Sequence, residues 1–455
     1  MPYTFEELRK KHKAFIYKGY NITETDREII ISYDFEIHGL ATFCPSWKME
    51  KPYGKKMYKN DSIFRKLVFS LGMVELVSYW KITCAPVVKV LCGKLSEKQI
   101  SFWKKLYFSG LGEFFYKNKI TTDIESFMTI ESEGEIPQGE ERRVLESDRC
   151  LIAVGGGKDS VVSLEVLGSN FLNNYCYIIN PRGATLECAK TAGYDDEKIV
   201  SLSRTLDGEM LRLNSLGYLN GHTPFSAIVA FSSVLSAYVY DIRYVVLSNE
   251  ASANESTVKN SDVNHQYSKS FEFEKNFHDY EEEFIGSGVY YFSLLRPMSE
   301  LQIAEYFAKQ KKYHSVFQSC NVGSKENKWC ADCSKCLFVS IILSPFMEIS
   351  EIERIFSKNL LDDKNMEEYF TQLIGISDEK PFECVGSRDE INTAITMAIS
   401  RLEEKGEKLP YLYELYKNTE LYAEFKNKPN AFDGYYNEEN LLPEKWKKLL
   451  LRECY

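Results

Sequence analysis

Apolar residues change their spacing along this chain. Residues 27–37, REIIISYDFEI, alternate well enough to predict a strand with one buried face. From Asp61 to Trp80 the apolar positions recur every three or four residues, which predicts a helix. A further helix is expected around 97–117. Farther on, short unbroken apolar runs take over: CLIAV (150–154), YCYIIN (175–180), KIVSL (198–202) and YVVLS (244–248). Helix-like segments, including 160–167 and 223–241, lie between them. Unbroken runs suit strands covered on both faces, and their alternation with helices predicts an α/β fold with a parallel twisted sheet and helices on both faces. From about residue 346 the pattern is mainly helical.

Residues 131–143, ESEGEIPQGEERR, hold Gly, Pro and many charges without an apolar period. They read as an exposed linker. The expected division is an N-terminal α+β domain (1–145) serving substrate recognition, a central parallel-sheet domain (146–350) and a helical C-terminal section (351–455). No internal repeat is present.

Composition narrows the class. With 455 residues, 44% of them hydrophobic and 27% charged, the chain is expected to fold around a large core. A net charge of −10 argues against broad nucleic-acid binding, which needs a basic face. It leaves room for a local basic pocket. The start, MPYTFEELRKKHKAF, lacks the apolar stretch of a secretory leader. The run SAIVAFSSVLSAYVY (226–240) is too short and too serine-rich to span a bilayer, so a buried helix is expected. A cytoplasmic protein without membrane insertion is the expectation, and its twelve cysteines are then expected to be reduced.

The stretch CLIAVGGGKDSVVSLEVL (150–167) carries candidate chemistry. Gly155, Gly156 and Gly157 follow a buried strand, and Asp159 and Ser160 are expected to open and cap a helix. Such a turn is an anion site: backbone donors converge, the helix dipole points its positive end outward, and no Cβ blocks approach. The string is neither a Walker A loop nor a dinucleotide fingerprint, since Ser160 stands at the third glycine position. It resembles the PP-loop of ATP pyrophosphatases, S-G-G-x-D-S, with Gly155 in place of the leading serine. An ordinary strand-to-helix turn is the alternative.

A second signal is SCNVGSKENKWCADCSKC (319–336). Cys320, Cys330, Cys333 and Cys336 have spacing that can close a tetrahedral shell around Zn2+ in a structural role. An iron–sulfur cluster, a redox pair or unrelated thiols are the alternatives.

Several further strings resemble one family. MVELVSYWK (73–81), GLGEFFYKN (110–118), NGHTPFSA (220–227), LSNEASAN (247–254), KWCADCSKCLFV (328–339) and PFECVG (381–386) are similar to those of ATP-dependent UDP-N-acetylmuramoyl-L-alanyl-L-glutamate epimerases. The similarity runs from about residue 30 to about 400 and includes the GGGKDS form of the loop. It implies inversion of the terminal L-glutamate of a UDP-linked muramoyl dipeptide through carboxylate adenylation, with ATP consumed, AMP and pyrophosphate released, and Mg2+ expected as the ion that helps neutralise the triphosphate. It also implies a PP-loop fold for the central domain. The rival readings are a PP-loop enzyme of nucleobase or tRNA modification, such as the queuosine-pathway nitrile synthase, and a non-catalytic ATP-binding module.

Within that resemblance, Gly155, Gly156, Gly157, Lys158, Asp159 and Ser160 are expected to hold the triphosphate, with Asp159 also counted among the catalytic residues. Asn249, Ser252 and Asn254 are expected in the substrate pocket, and Glu250 as a catalytic carboxylate beside them. His222 is the expected proton-transfer residue, its alternative being a capping or core histidine. Arg296 either pairs with an anionic group of the substrate or packs at a strand end. The lysines of 47–60 either hold the diphosphate or form a solvated face. Cys384 is a further candidate proton carrier.

Overall fold

The computed structural model describes residues 3–135, 142–257 and 264–455. Residues 136–141 of the expected linker therefore lie outside the described residues.

Among the described residues eleven strands form one sheet: β1 (Ala14–Glu24), β2 (Glu28–Ile37), β3 (Ala41–Phe43), β4 (Ser46–Glu50), β5 (Val87–Val90), β6 (Thr129–Ser132), β7 (Cys150–Ala153), β8 (Asn174–Ile179), β9 (Ile199–Thr205), β10 (Tyr244–Leu247) and β11 (Tyr290–Ser293). Their order is β11-β10-β7-β8-β9-β4-β2-β1-β5-β6, with β3 on the flank of β2. The segment β11 to β9 is wholly parallel. β4 then pairs antiparallel with both β9 and β2, and β1 antiparallel with β2, before β5 and β6 restore parallel pairing. The unbroken apolar runs are the parallel strands, buried on both faces as at Tyr244–Leu247. The alternating run is β2, whose inward residues Ile29, Ile31, Tyr33, Phe35 and Ile37 are buried.

The N-terminal and central parts thus share a sheet. Residues Ser46–Met49 pair with Leu202–Thr205, so sheet hydrogen bonding runs across the expected boundary near residue 145.

Helix Ser62–Trp80 begins at Asp61, whose carboxylate accepts the Phe64 N–H, and is buried from Leu67 onward. It packs on helix Phe225–Tyr240, the serine-rich apolar run. The serines of that run are satisfied internally: Ser232, Ser233 and Ser236 donate to carbonyls one turn back. Among the described residues no helix is long and apolar enough to cross a membrane. The C-terminal section is helical, its longest helix being Arg388–Glu404, and packs against helices Glu300–Ala308 and Ser334–Leu343.

Four of the five lysines of 47–60 are engaged within the protein. Lys51 is buried against Glu24 at 3.0 Å, Lys56 pairs with Asp61 at 2.6 Å, Lys55 with Asp241 and Lys48 with Glu28. The charge of these four is neutralised locally, which leaves Lys59 as the remaining exposed lysine of the run.

Candidate active site

The carboxyl edge of the parallel strands gathers the candidate chemistry, the edge at which open α/β sheets bind ligands. The chain leaves β7 through Val154 and the three glycines and enters helix Lys158–Val166. Gly157 is the N-cap, without a side-chain cap, and Ser160 Oγ donates to its carbonyl at 2.9 Å. Asp159 and Ser160 therefore lie inside the first turn, and the capping expected of them is absent.

The glycines differ in what they serve. Gly156 has φ +83°, and a Cβ there would stand 2.9 Å from the Ala184 backbone. Its carbonyl accepts the Gln318 N–H at 2.7 Å. A Cβ on Gly157 would press Ser319 at 3.2 Å, whereas one on Gly155 would meet nothing. Gly156 is required by the fold, and Gly155 presents open backbone.

Lys158 is buried and ion-paired with both Asp159 and Glu300, the latter the first residue of helix Glu300–Ala308 after β11. Burial alone would depress the Lys158 ammonium, but the two carboxylates lift it above its ordinary value. One ammonium cannot neutralise both acids. Burial raises each of them; Lys158 and Lys335 bring Asp159 below its ordinary value, while Asp159 and Glu250 help keep Glu300 above it. Glu390, brought by the C-terminal section, accepts the Glu300 N–H at 2.7 Å and is raised by its own burial.

The string after β10 behaves differently from expectation. Asn249 donates to Ser293 Oγ at 3.0 Å, tying the ends of β10 and β11. Asn254 accepts the Phe271 N–H at 3.0 Å, and Glu250 caps the short turn Ala251–Asn254 through the Ala253 N–H at 3.1 Å. The Ser252 hydroxyl is buried without a protein partner. Arg296, an expected substrate contact, is fully buried. Its guanidinium binds Glu274 at 2.8 Å and the carbonyls of Glu250 and Lys269, each at 2.6 Å. It braces the strand ends and has no exposed surface for a ligand.

A second group stands beside the loop. His222 and His265 both approach Glu113 Oε2, at 3.3 and 2.6 Å, and their rings pack with centroids 4.5 Å apart. Lys81 holds the His222 loop by donating to Thr223 Oγ1 at 2.7 Å and to the Gly221 carbonyl. Burial, with the nearby Arg204 charge, lowers Lys81 to about 8. His222 is pushed down to about 4 by burial and by the neighbouring His265. Burial also depresses His265, but hydrogen bonds to Cys384 and Glu113 carry it up to about 9. Cys384 lies 3.0 Å from Lys269 Nζ, and Lys335 donates to its carbonyl. Burial would raise that thiol; Lys269, the hydrogen bond from His265 and Lys335 bring it down to about 5.

Cys320, Cys330, Cys333 and Cys336 converge, all four sulfurs within 4.8 Å of one another. Three of the edges measure 3.5, 3.7 and 3.9 Å. A tetrahedron with metal–sulfur distances of about 2.3 Å has edges of about 3.8 Å, so the set fits a tetrahedral metal. These distances are too long for disulfides.

Of the expected residues, Asp159, Glu250, His222 and Cys384 all share the electrostatic environment of Lys269. Glu113, His265, Lys269 and Glu300 were not singled out in the sequence. Glu113, Lys81 and Lys335 lie inside the family-like strings, which was their available signal. His265 is one of only six histidines, a scarcity that marks each as a candidate.

Two family models match the chain, the MurL N-terminal domain over residues 6–294 and the MurL C-terminal domain over residues 315–426. Curated relatives include the UDP-N-acetyl-alpha-D-muramoyl-L-alanyl-L-glutamate epimerase of Xanthomonas oryzae pv. oryzae, 34% identical over 76% of this chain and 77% of that one. The proteins of the same name from Salinispora tropica and a Micromonospora species are 32% and 33% identical. The first covers 86% of both chains, the second 86% of this chain and 88% of its own. No solved structure matches.

Proposed function

This chain belongs to the MurL family of UDP-N-acetylmuramoyl-L-alanyl-L-glutamate epimerases, and we propose that it inverts the terminal L-glutamate of that UDP-linked dipeptide by adenylating its carboxylate with ATP. It is on this reading an isomerase of peptidoglycan precursor synthesis, acting in the cytoplasm on a small-molecule substrate.

The single observation that carries the reading is that Lys269 and Lys335 act on both Asp159, at the head of the helix after the open glycine turn, and Cys384, in the thiol–imidazole–carboxylate group. The glycine turn suits a nucleotide phosphate tail and the thiol group suits proton transfer at carbon. Adenylation explains why ATP is needed. The Cα–H of a free carboxylate is a very weak acid, because its enolate would bear a second negative charge. An acyl adenylate is neutral at the carbonyl, which lowers that barrier, each pKa unit being worth about 1.4 kcal/mol.

The roles follow. Gly155 and the free N–H groups at the start of helix Lys158–Val166 receive phosphate oxygens, Lys158 supplies charge and Asp159 faces the polyphosphate. Mg2+ supplies charge neutralisation between phosphates when bound. Among the described residues the two groups of three or more ligating side chains close enough to share a metal are the four cysteines and Glu113 with His222 and His265. The carboxylates near the loop form no such cage, in keeping with a magnesium held mainly by phosphate and water. The four-cysteine site holds structural Zn2+ and fixes the segment that presents Lys335.

The test is incubation with ATP, magnesium and the L,L-dipeptide nucleotide, followed by assay of AMP, pyrophosphate and, after acid hydrolysis, D-glutamate. AMP release without D-glutamate would sink the epimerase reading while leaving adenylation in place. Absence of AMP would sink both.

A further inference from the structure

The proton-transfer group of this site is concealed by its dispersal over the chain. Cys384 comes from the C-terminal section, Lys269 and His265 from the segment between β10 and β11, Lys335 from the four-cysteine segment and Glu113 from the N-terminal part. They meet around one sulfur. Lys269 Nζ is 3.0 Å from Cys384 Sγ, the His265 imidazole acts on the same thiol, and Glu113 holds the His265 Nδ1 at 2.6 Å. Lys335, sharing the loop environment of Asp159, binds the Cys384 carbonyl and fixes its backbone. Glu383 is the acidic neighbour in sequence, and it is itself raised by burial. Cys384 as a residue is partly exposed. One ammonium contacts the thiol and a second holds the backbone of the same residue. An inert structural cysteine does not require such a set.

Resting on the epimerase reading above, we propose that Cys384, held as a thiolate by Lys269 and the His265–Glu113 pair, is the base that removes the Cα proton of the adenylated glutamate. In this step the Cα–H bond breaks, the S–H bond forms, and the electron pair passes into the acyl group as its enolate. Protonation of Cα on the opposite face, by a proton that comes from solvent, gives the D-configuration. The thiol then returns its proton to solvent, and the thiolate paired with Lys269 is restored. Water then cleaves the acyl adenylate to product and AMP. Each D-glutamate formed therefore carries one solvent hydrogen at Cα.

The experiment compares wild type, Cys384→Ala and Cys384→Ser in deuterated water with ATP, magnesium and the L,L-dipeptide nucleotide. Pyrophosphate release, D-glutamate, deuterium at Cα and bound metal are measured together. The expected result is pyrophosphate release within a few-fold of wild type and unchanged metal, with D-glutamate and deuterium incorporation lower by at least about 100-fold. Near-wild-type deuterium incorporation in the variants would overturn the proposal. So would parallel loss of pyrophosphate release, which would place Cys384 in adenylation, or a substrate acyl group found covalently on Cys384 in acid-quenched wild type. If wild type itself releases no pyrophosphate, the adenylation reading fails and this proposal falls with it.

Discussion

Lys269 Nζ stands 3.0 Å from Cys384 Sγ, and the two residues are 115 positions apart. The contact fixes charge on both sides: an ammonium stabilises a thiolate, and the thiolate in turn supports a protonated His265.

That coupling has a pH signature. His265 is raised to about 9, so it is charged at neutral pH and loses its proton as pH rises through that value. Cys384, lowered to about 5, is a thiolate at all pH above it. Removing the sulfur with Cys384→Ala removes an anion that favours the imidazolium, so the His265 midpoint must fall. NMR titration of labelled histidine checks this. Lys269→Met acts in the opposite sense on the thiol: the midpoint for alkylation of Cys384, read by peptide mass, moves upward from about 5.

The glycines separate fold from ligand. Gly156→Ala must adopt a left-handed backbone and press Ala184, a cost of about 1–3 kcal/mol. Denaturant unfolding is expected to show that loss, together with lost pyrophosphate release. Gly155→Ala meets no protein atom. Its unfolding free energy is expected to match wild type while ATP affinity falls, as isothermal titration would record.

Lys158 is paired with the buried Glu300 carboxylate and the partly exposed Asp159. Lys158→Met leaves Glu300 and Asp159 without their cation, and removing one partner of a buried pair costs about 3–5 kcal/mol. Adding Glu300→Gln is expected to recover part of that loss in denaturant unfolding, since one uncompensated acid is gone.

Asp159→Ala is expected to abolish AMP formation and leave the metal content unchanged. Conversely, Cys333→Ser is expected to lower bound metal and, by releasing the segment of Lys335, to weaken the hold on Cys384. Metal analysis beside the AMP and D-glutamate assays distinguishes the two variants.

What could be read from the sequence was what local pattern encodes. Unbroken apolar runs gave away the parallel strands β7 to β10, and cysteine spacing gave away the four-sulfur cluster. β11 escaped because YYFS is short and follows a glycine-rich turn. β4 escaped because Lys48 and Glu50 interrupt its apolar residues, and its pairing with β9 lies about 155 residues away in sequence. The thiol environment was illegible for the same reason: Cys384 could be singled out, but its partners Lys269 and Glu113 are set beside it by tertiary folding alone. Arg296 misled in the reverse direction, since a cation at a strand end looks like an anion site until Glu274 is placed against it.

The antiparallel seam between β4 and β9 also limits how the enzyme can move. A clamshell motion of N-terminal against central halves would have to tear the ladder that runs from Ser46–Thr205 to Met49–Leu202. Glu113 and His222, contributed from either side of that seam, are consequently locked in mutual register before any substrate arrives. Access has to be managed by the loops along the strand tips, so catalysis proceeds on a pre-set anvil and not between closing jaws.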